Sequence, residues 1–180
     1  MKHKAIFLDR DGTLIVDAGY PNDPEQVQLI PGAAEALLTF VNAGYLLVVI
    51  SNQSGIGRGK IKPDEAQRVH QRFVELFERQ GIHFSGVYYC PHAPEENCNC
   101  RKPATGLIEQ AVMELDIDVK HSWMIGDKLS DVQTGLNTGM KSILFRNHPS
   151  NKEKEIQPDF QSDEWQPIVD YILNHEEVRI

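Results

Sequence analysis

Two textures alternate along the chain when only its apolar and polar positions are read. Short unbroken apolar runs, HKAIFLD (3–9), YLLVVIS (45–51), GVYYC (86–90), SWMIGD (122–127) and KSILF (141–145), are rich in Val, Ile, Leu and Phe. Runs this short and this continuous predict strands covered on both faces. Between them apolar residues recur at helical spacing. PGAAEALLTFVNAG (31–44) predicts a helix with Pro31 in its first turn and Gly44 at its stop. KPDEAQRVHQRFVELFERQG (62–81) places Val69, Phe73, Leu76 and Phe77 on one face and stops at Gly81, and TGLIEQAVMELD (105–116) and SDVQTGLNTG (130–139) supply two more helices. A last helix, SDEWQPIVDYILNH (162–175), is expected to pack through Trp165, Ile168, Val169 and Ile172, after a polar loop over 147–158. Strands alternating with helices predict a mostly parallel sheet with right-handed crossovers, a doubly wound, Rossmann-like α/β structure. The 180 residues suit one domain spanning 1–180.

In sheets of this kind ligands sit beyond the carboxyl ends of the strands, which turns topology into a filter for chemistry. Asp9 ends the first predicted strand, Ser51 the second and Asp127 a later one, while Lys102 follows the Cys90 strand. Asp9 and Asp11, two residues apart in FLDRDGTL, would repel by about 4 kcal/mol as unit charges 4 Å apart at an effective dielectric of 20. Such a pair calls for a shared proton or a hard cation such as Mg²⁺, which binds through one or two carboxylates plus phosphate. In IGDKLSD, Asp131 lies one helical turn after Asp127. VISNQSGIGRGK brings Ser51, Asn52, three glycines, Arg58 and Lys60 together after the second strand, the makings of a phosphate cradle. It is not the dinucleotide G-x-G-x-x-G fingerprint, because it follows the wrong strand and lacks the distal acid.

The net charge of −8 argues against general nucleic-acid binding, so an anionic ligand must be met by a local cationic site. No segment is long and apolar enough to span a bilayer, and the opening MKHKAIFLDRDG lacks the apolar core of an export signal. All three cysteines fall within eleven residues, 90–100. That clustering favours a metal site in a reducing compartment over a disulfide framework, and the cytoplasm is the expected location. Cys90, His92, Cys98 and Cys100 form C-x-H-x₅-C-x-C, four soft ligands suited to a tetrahedral structural Zn²⁺. A proline-containing loop this short cannot build its own core, whereas zinc would fix it and, directly behind the last ligand, the heads of Arg101 and Lys102.

DRDGT, SNQ, RKP and GDKLSD, in that order, resemble the four motifs of the haloacid-dehalogenase-type phosphatases, over roughly residues 4 to 146. The resemblance implies that Asp9 is the nucleophile forming an aspartyl-phosphate and Asp11 the general acid and base. It implies that Ser51 and Lys102 hold the transferring phosphoryl group. Mg²⁺ would be bound by Asp9, Asp127 and the Asp11 carbonyl, with Asp131 orienting Lys102 or the metal's water. The chain leaves no room for a large inserted cap domain, so closure would fall to loops 17–24, 52–60 and 91–102. Among capless relatives two branches are similar, both with a zinc loop: heptose bisphosphate phosphatases and histidinol-phosphate phosphatases. The short zinc loop matches the second; DAGY (17–20) and SGIGRG (54–59) favour the first. On the heptose reading the substrate is a small phosphorylated sugar, lined by Asp17, Ala18, Gly19, Tyr20, Ser51, Asn52, Gln53, Ser54, Arg101, Lys102 and Lys128, with Arg58 a further anion contact. The expected enzyme is a monomer with no nucleic-acid or membrane partner. A phospho-acceptor receiver domain also clusters aspartates, but without two of them framing a DxDGT turn.

Overall fold

The computed structural model describes residues 2–145 and 156–177. Six strands, β1 (Ala5–Leu8), β2 (Leu46–Asn52), β3 (Gly86–Cys90), β4 (Trp123–Gly126), β5 (Lys141–Phe145) and β6 (Phe160–Ser162), form one sheet in the order β3-β2-β1-β4-β5-β6. Every neighbouring pair is parallel. From β1 the chain winds outward to β3, then returns to the other side of β1 and winds outward again to β6. The order therefore reverses between β1 and β4, the switch point where doubly wound folds open a crevice.

Register explains why the first strand is apolar throughout. Ile6 lies between Leu47 and Trp123, and Phe7 between Val48 and Met124, so β1 has strands on both sides and helices on both faces. Ile6, Leu8, Leu47, Val49 and Ile125 point to α1 (Ala33–Asn42), α3 (Pro63–Glu78) and α6 (Trp165–Glu177). Ala5, Phe7, Val48, Ile50 and Met124 point the other way, to α4 (Gly106–Leu115). Also on that side lies α5 (Leu129–Thr138), whose Gly135 approaches Ser142 and Met124. The predicted faces of the longer helices are the ones turned inward: Val69, Phe73 and Phe77 on α3 are buried with Leu76 partly so, and Trp165, Ile168, Val169 and Ile172 on α6 are buried. Phe84 stacks on Phe73 at 5.2 Å and meets Phe77 edge-on at 5.3 Å. The fully buried rings of Phe73 and Phe77 each contribute about 1.5–3 kcal/mol by burial.

Local structure departs from the pattern in three places. Pro31 precedes the first helix, because Gly32 takes a left-handed φ of 82° as its N-cap. The glycine-rich stretch after β2 is not all loop: Ser54–Gly57 forms one helical turn, α2. β6 carries no apolar run and is held to β5 at the sheet edge, where Asp159 accepts from the Ser142 N–H at 2.8 Å through its carboxylate and donates its own N–H to the Ser142 carbonyl at 2.9 Å. The loop expected over 147–158 falls outside the described residues as far as 155.

Candidate active site

Strand endings bring the acidic residues together at the switch point. Asp9 leaves β1 with its N–H bound to Ile125 O of β4 at 2.9 Å, which ties the first motif to the fourth. The Lys102 ammonium, only 2% exposed, lies 2.7 Å from Asp9 Oδ1 and 2.6 Å from Asp131 Oδ1, and donates to Ile50 O at 2.7 Å. Burial alone would push this lysine toward neutrality, but Asp131 and Asp9 outweigh it and keep the ammonium charged. Burial likewise works against the Asp9 carboxylate, and Lys102 more than reverses it, holding the group below its usual range. Asp131 is pushed up by burial, against the pull of Lys102.

Among the described residues Asp127 has no ion-pair contact, and only the more distant charge of Lys128 favours its ionised form. Burial first, then the neighbouring Asp9 charge, raise its pKa to about 7, and its buried Oδ1 has no hydrogen-bond partner among the described residues. Oxygens of Asp9, Asp127 and Asp131 lie within 4.8 Å of one another, a set fit for a hard cation. The approach depends on Gly12, whose φ of 83° and missing side chain let the turn lie against Asp127: a Cβ there would sit 2.7 Å from the Asp127 Cγ.

The crowding expected between Asp9 and Asp11 is relieved. Asp11 is claimed by its neighbour Arg10, which donates from Nε at 3.0 Å and from Nη2 at 3.2 Å, and by Gln53 Nε2 at 2.8 Å. The carboxylate that crowds Asp9 is Asp127 instead. Arg10 was missed by sequence reasoning, although it continues the in-facing positions Ile6 and Leu8 and is 4% exposed. Gln53 also donates to Ser51 Oγ at 2.6 Å, joining the second motif to Asp11. Asn52 holds the Lys102 backbone with both ends of its amide: Oδ1 accepts from Lys102 N at 3.0 Å, and Nδ2 donates to Lys102 O at 3.2 Å.

A cleft of about 360 Å³ opens from these groups, lined by Asp11, Asp17, Gly19, Tyr20, Asn52, Gln53, Ser54, Gly55, Arg101, Lys102, Lys128 and Ser130. Gly55 and Ser130 were not anticipated; of the anticipated residues, Asp9, Ser51, Asp127 and Asp131 are not part of the lining, nor are Ala18 and Arg58. Arg58 reaches the rim through Tyr20, donating to its hydroxyl at 3.2 Å and thereby lowering the phenol's pKa. Across the mouth Lys128 Nζ sits 3.6 Å from Asp17. One buried nitrogen of Arg101, Nη1, has no partner among the described residues. A half-buried guanidinium with an unpartnered donor among the described residues, beside Lys102 and Lys128, suits an anionic ligand.

Beside the cleft, Cys90, His92, Cys98 and Cys100 converge with one ligand atom each inside 4.8 Å. Their sulfurs are 3.1–3.5 Å apart and His92 Nδ1 is 3.2 Å from Cys100 Sγ, far beyond a disulfide bond of about 2.0 Å and near the spacing of tetrahedral thiolate ligands. Burial pushes the Cys90 thiol up to about 12. The loop is fastened to the site's other wall: Gln53 N binds Cys90 O at 2.7 Å and Gly57 N binds Pro91 O at 2.8 Å.

Residues 99–172 match the family model described as HAD-hydrolase-like. The chain is 42% identical over 154 residues to the D-glycero-β-D-manno-heptose-1,7-bisphosphate 7-phosphatase of Haemophilus ducreyi, covering 81% of this chain and 85% of that one. It is 45% identical over 144 residues to the protein of the same name from Helicobacter pylori, covering 79% and 83%. Among solved structures, the D,D-heptose 1,7-bisphosphate phosphatase of B. bronchiseptica, complexed with magnesium and phosphate, superposes with a TM-score of 0.85 over 96% of this chain and 99% of that chain. At 24% identity that likeness speaks to the fold. A HAD-like protein from Mesorhizobium loti gives a TM-score of 0.82 at 32% identity, covering 96% and 87%.

Proposed function

Because the chain belongs to the haloacid-dehalogenase-like phosphatases, in the family of the D-glycero-β-D-manno-heptose-1,7-bisphosphate 7-phosphatases, we propose that it removes the C7 phosphate of D-glycero-D-manno-heptose 1,7-bisphosphate through an aspartyl-phosphate. One observation carries the reading. The Asp9 carboxylate is kept ionised between buried Lys102 and Asp127, directly behind a cleft that Asp11, Lys102, Arg101 and Lys128 line.

The donor set fits Mg²⁺: Asp9, Asp127 and the Asp11 carbonyl would hold it, since Asp127 Oδ1 is an orphaned acceptor among the described residues and carboxylate oxygens of Asp9, Asp127 and Asp131 cluster there. Bound, it would supply positive charge against the carboxylates and the phosphoryl oxygens. The protein's own groups do the rest. Asp9 attacks phosphorus in line, its new O–P bond forming as the bond to the sugar's O7 breaks, and Asp11 delivers a proton to O7 as it departs. Asp11 then takes a proton from water as water attacks the phosphorus, which frees Asp9 and releases phosphate. Ser51 and Lys102 hold equatorial oxygens, and Lys102 is unable to wander because Asp9, Asp131 and Ile50 O all engage it. Gln53, bound to both Asp11 and Ser51, keeps acid and phosphate ligand in register. Arg101 and Lys128 face the second phosphate, and Asp17, Gly19 and Tyr20 face the sugar.

Zinc held by Cys90, His92, Cys98 and Cys100 fits as a structural ion that fixes the segment carrying Arg101. The reading is of a cytoplasmic monomer, one domain over 1–180, acting on a small phosphorylated sugar. Among the described residues no helix is long and apolar enough to cross a membrane.

Phosphate release with Mg²⁺ present, from the heptose bisphosphate and from L-histidinol phosphate side by side, tests the substrate. The reading expects a large advantage in kcat/KM for the heptose. An advantage for histidinol phosphate would transfer the enzyme to the other branch with its chemistry intact, and turnover of neither would overturn the reading.

A further inference from the structure

Asn52 lines the cleft, yet both functional atoms of its side chain are spent on the backbone of Lys102, fifty positions away in sequence: Oδ1 accepts from Lys102 N at 3.0 Å and Nδ2 donates to Lys102 O at 3.2 Å. An amide used twice in this way behaves like a neighbouring strand, satisfying one N–H and one C=O of an irregular segment. The far end of Lys102 returns to the same strand, its ammonium donating to Ile50 O at 2.7 Å. Lys102 is therefore stapled to β2 at both ends, by Asn52 at its backbone and by Ile50 at its tip. Arg101, one residue earlier, shares neither staple and keeps a buried nitrogen without a partner among the described residues.

We infer that Asn52 is a positioning residue that clamps the Lys102 backbone to the end of β2, rather than a residue that binds the sugar. The two cations that follow the cysteine loop then have separate supports. Lys102 is set by β2 through Asn52, and Arg101 by the loop itself. The geometry stands without any functional reading, whereas its kinetic consequence rests on Lys102 holding the transferred phosphoryl group, as proposed above.

The division makes substrates diagnostic. A residue touching the sugar or its second phosphate affects a bisphosphate and leaves a simple monoester alone. A residue that sets Lys102 affects both, because every substrate places a phosphoryl group there. Misplacing a catalytic group by about 1 Å can lower the rate on the order of 10²-fold. Asn52→Ala and the isosteric Asn52→Asp, which keeps the acceptor for Lys102 N but puts a repelling oxygen against Lys102 O, should each be assayed as full-length, metal-loaded protein on heptose bisphosphate and on p-nitrophenyl phosphate. The expected result is a fall in kcat of about 10²-fold for Ala and at least about 10-fold for Asp on both substrates, with KM for the bisphosphate changed by less than about threefold. Hydrogen exchange at the Lys102 amide, read by NMR without substrate, should accelerate in Asn52→Ala while exchange in β1 stays as in the parent. A rise in KM confined to the bisphosphate, or unchanged exchange at Lys102, would overturn the clamp. Were the parent itself inactive on both substrates, the phosphatase reading would fall, and the exchange measurement alone would still decide the clamp.

Discussion

Gly12→Ala separates two roles that a glycine can play. At a φ of +83° an alanine is strained, and its Cβ would sit 2.7 Å from the Asp127 Cγ. The strain is about 1–2 kcal/mol for an L-residue in the left-handed region. On a chain of this size that lowers Tm by about 2–8 °C. The contact is the larger matter. Carbon pairs settle at about 3.5–4.0 Å, so the Asp127 carboxylate must retreat by roughly 1 Å, which predicts a loss of about 10²-fold in kcat and a weaker response to Mg²⁺. Gly81 supplies the control, since its φ of +79° carries the same strain but nothing lies within 4 Å of its would-be Cβ. Gly81→Ala should lose similar stability and no activity. Thermal unfolding, with phosphate release titrated against Mg²⁺, reads both effects. Were Gly12→Ala to match Gly81→Ala in kcat and Mg²⁺ dependence, the claim that this turn exists to admit Asp127 would be refuted.

Lys102→Met should leave Asp9 and Asp131 buried without their cation and destabilise the metal-free fold by about 3–5 kcal/mol in urea denaturation at neutral pH; a change under about 1 kcal/mol would contradict the buried pairing. With Asp127 raised to about 7 by burial and the Asp9 charge, protons compete with Mg²⁺ below that pH. Mg²⁺ affinity by calorimetry should therefore weaken about tenfold per unit as pH falls from 7 to 5, and a flat profile would remove Asp127 from the metal. Because the folded pKa of Asp127 lies above its unfolded value, its contribution to the stability of the metal-free protein is present at low pH and lost as pH rises through about 7. Cys98→Ala should abolish bound zinc by metal analysis and expose the loop at 90–100 to proteolysis; full zinc content would defeat the four-ligand set.

Much of this arrangement is legible in one dimension, and the reason is physical. Strands such as β1 and β2 are covered on both faces, so their sequences are unbroken apolar runs that end at Asp9 and Asn52, and the carboxyl-edge rule then collects Asp9, Ser51, Lys102 and Asp127. What escapes is whatever depends on partners far along the chain. The Lys102–Asp9 pair spans 93 positions and the Asn52–Lys102 clamp 50, and neither leaves a local signature. β6 is missed because three residues at a sheet edge need no apolar pattern. Arg10 reads as a solvent-facing charge between two acids, yet the alternation of β1 carries it inward beside Ile6 and Leu8, where Asp11 neutralises it.

The central claim is that Asp9 takes the phosphoryl group from C7 of a heptose bisphosphate. ³¹P NMR of the product formed with Mg²⁺ tests it most directly, with Asp9→Asn run in parallel. The account predicts that the C7 ester signal is replaced by inorganic phosphate while the anomeric C1 signal persists, and that Asp9→Asn, folded as the parent by circular dichroism, leaves both esters untouched. Loss of the C1 signal first, or turnover by Asp9→Asn, would contradict it.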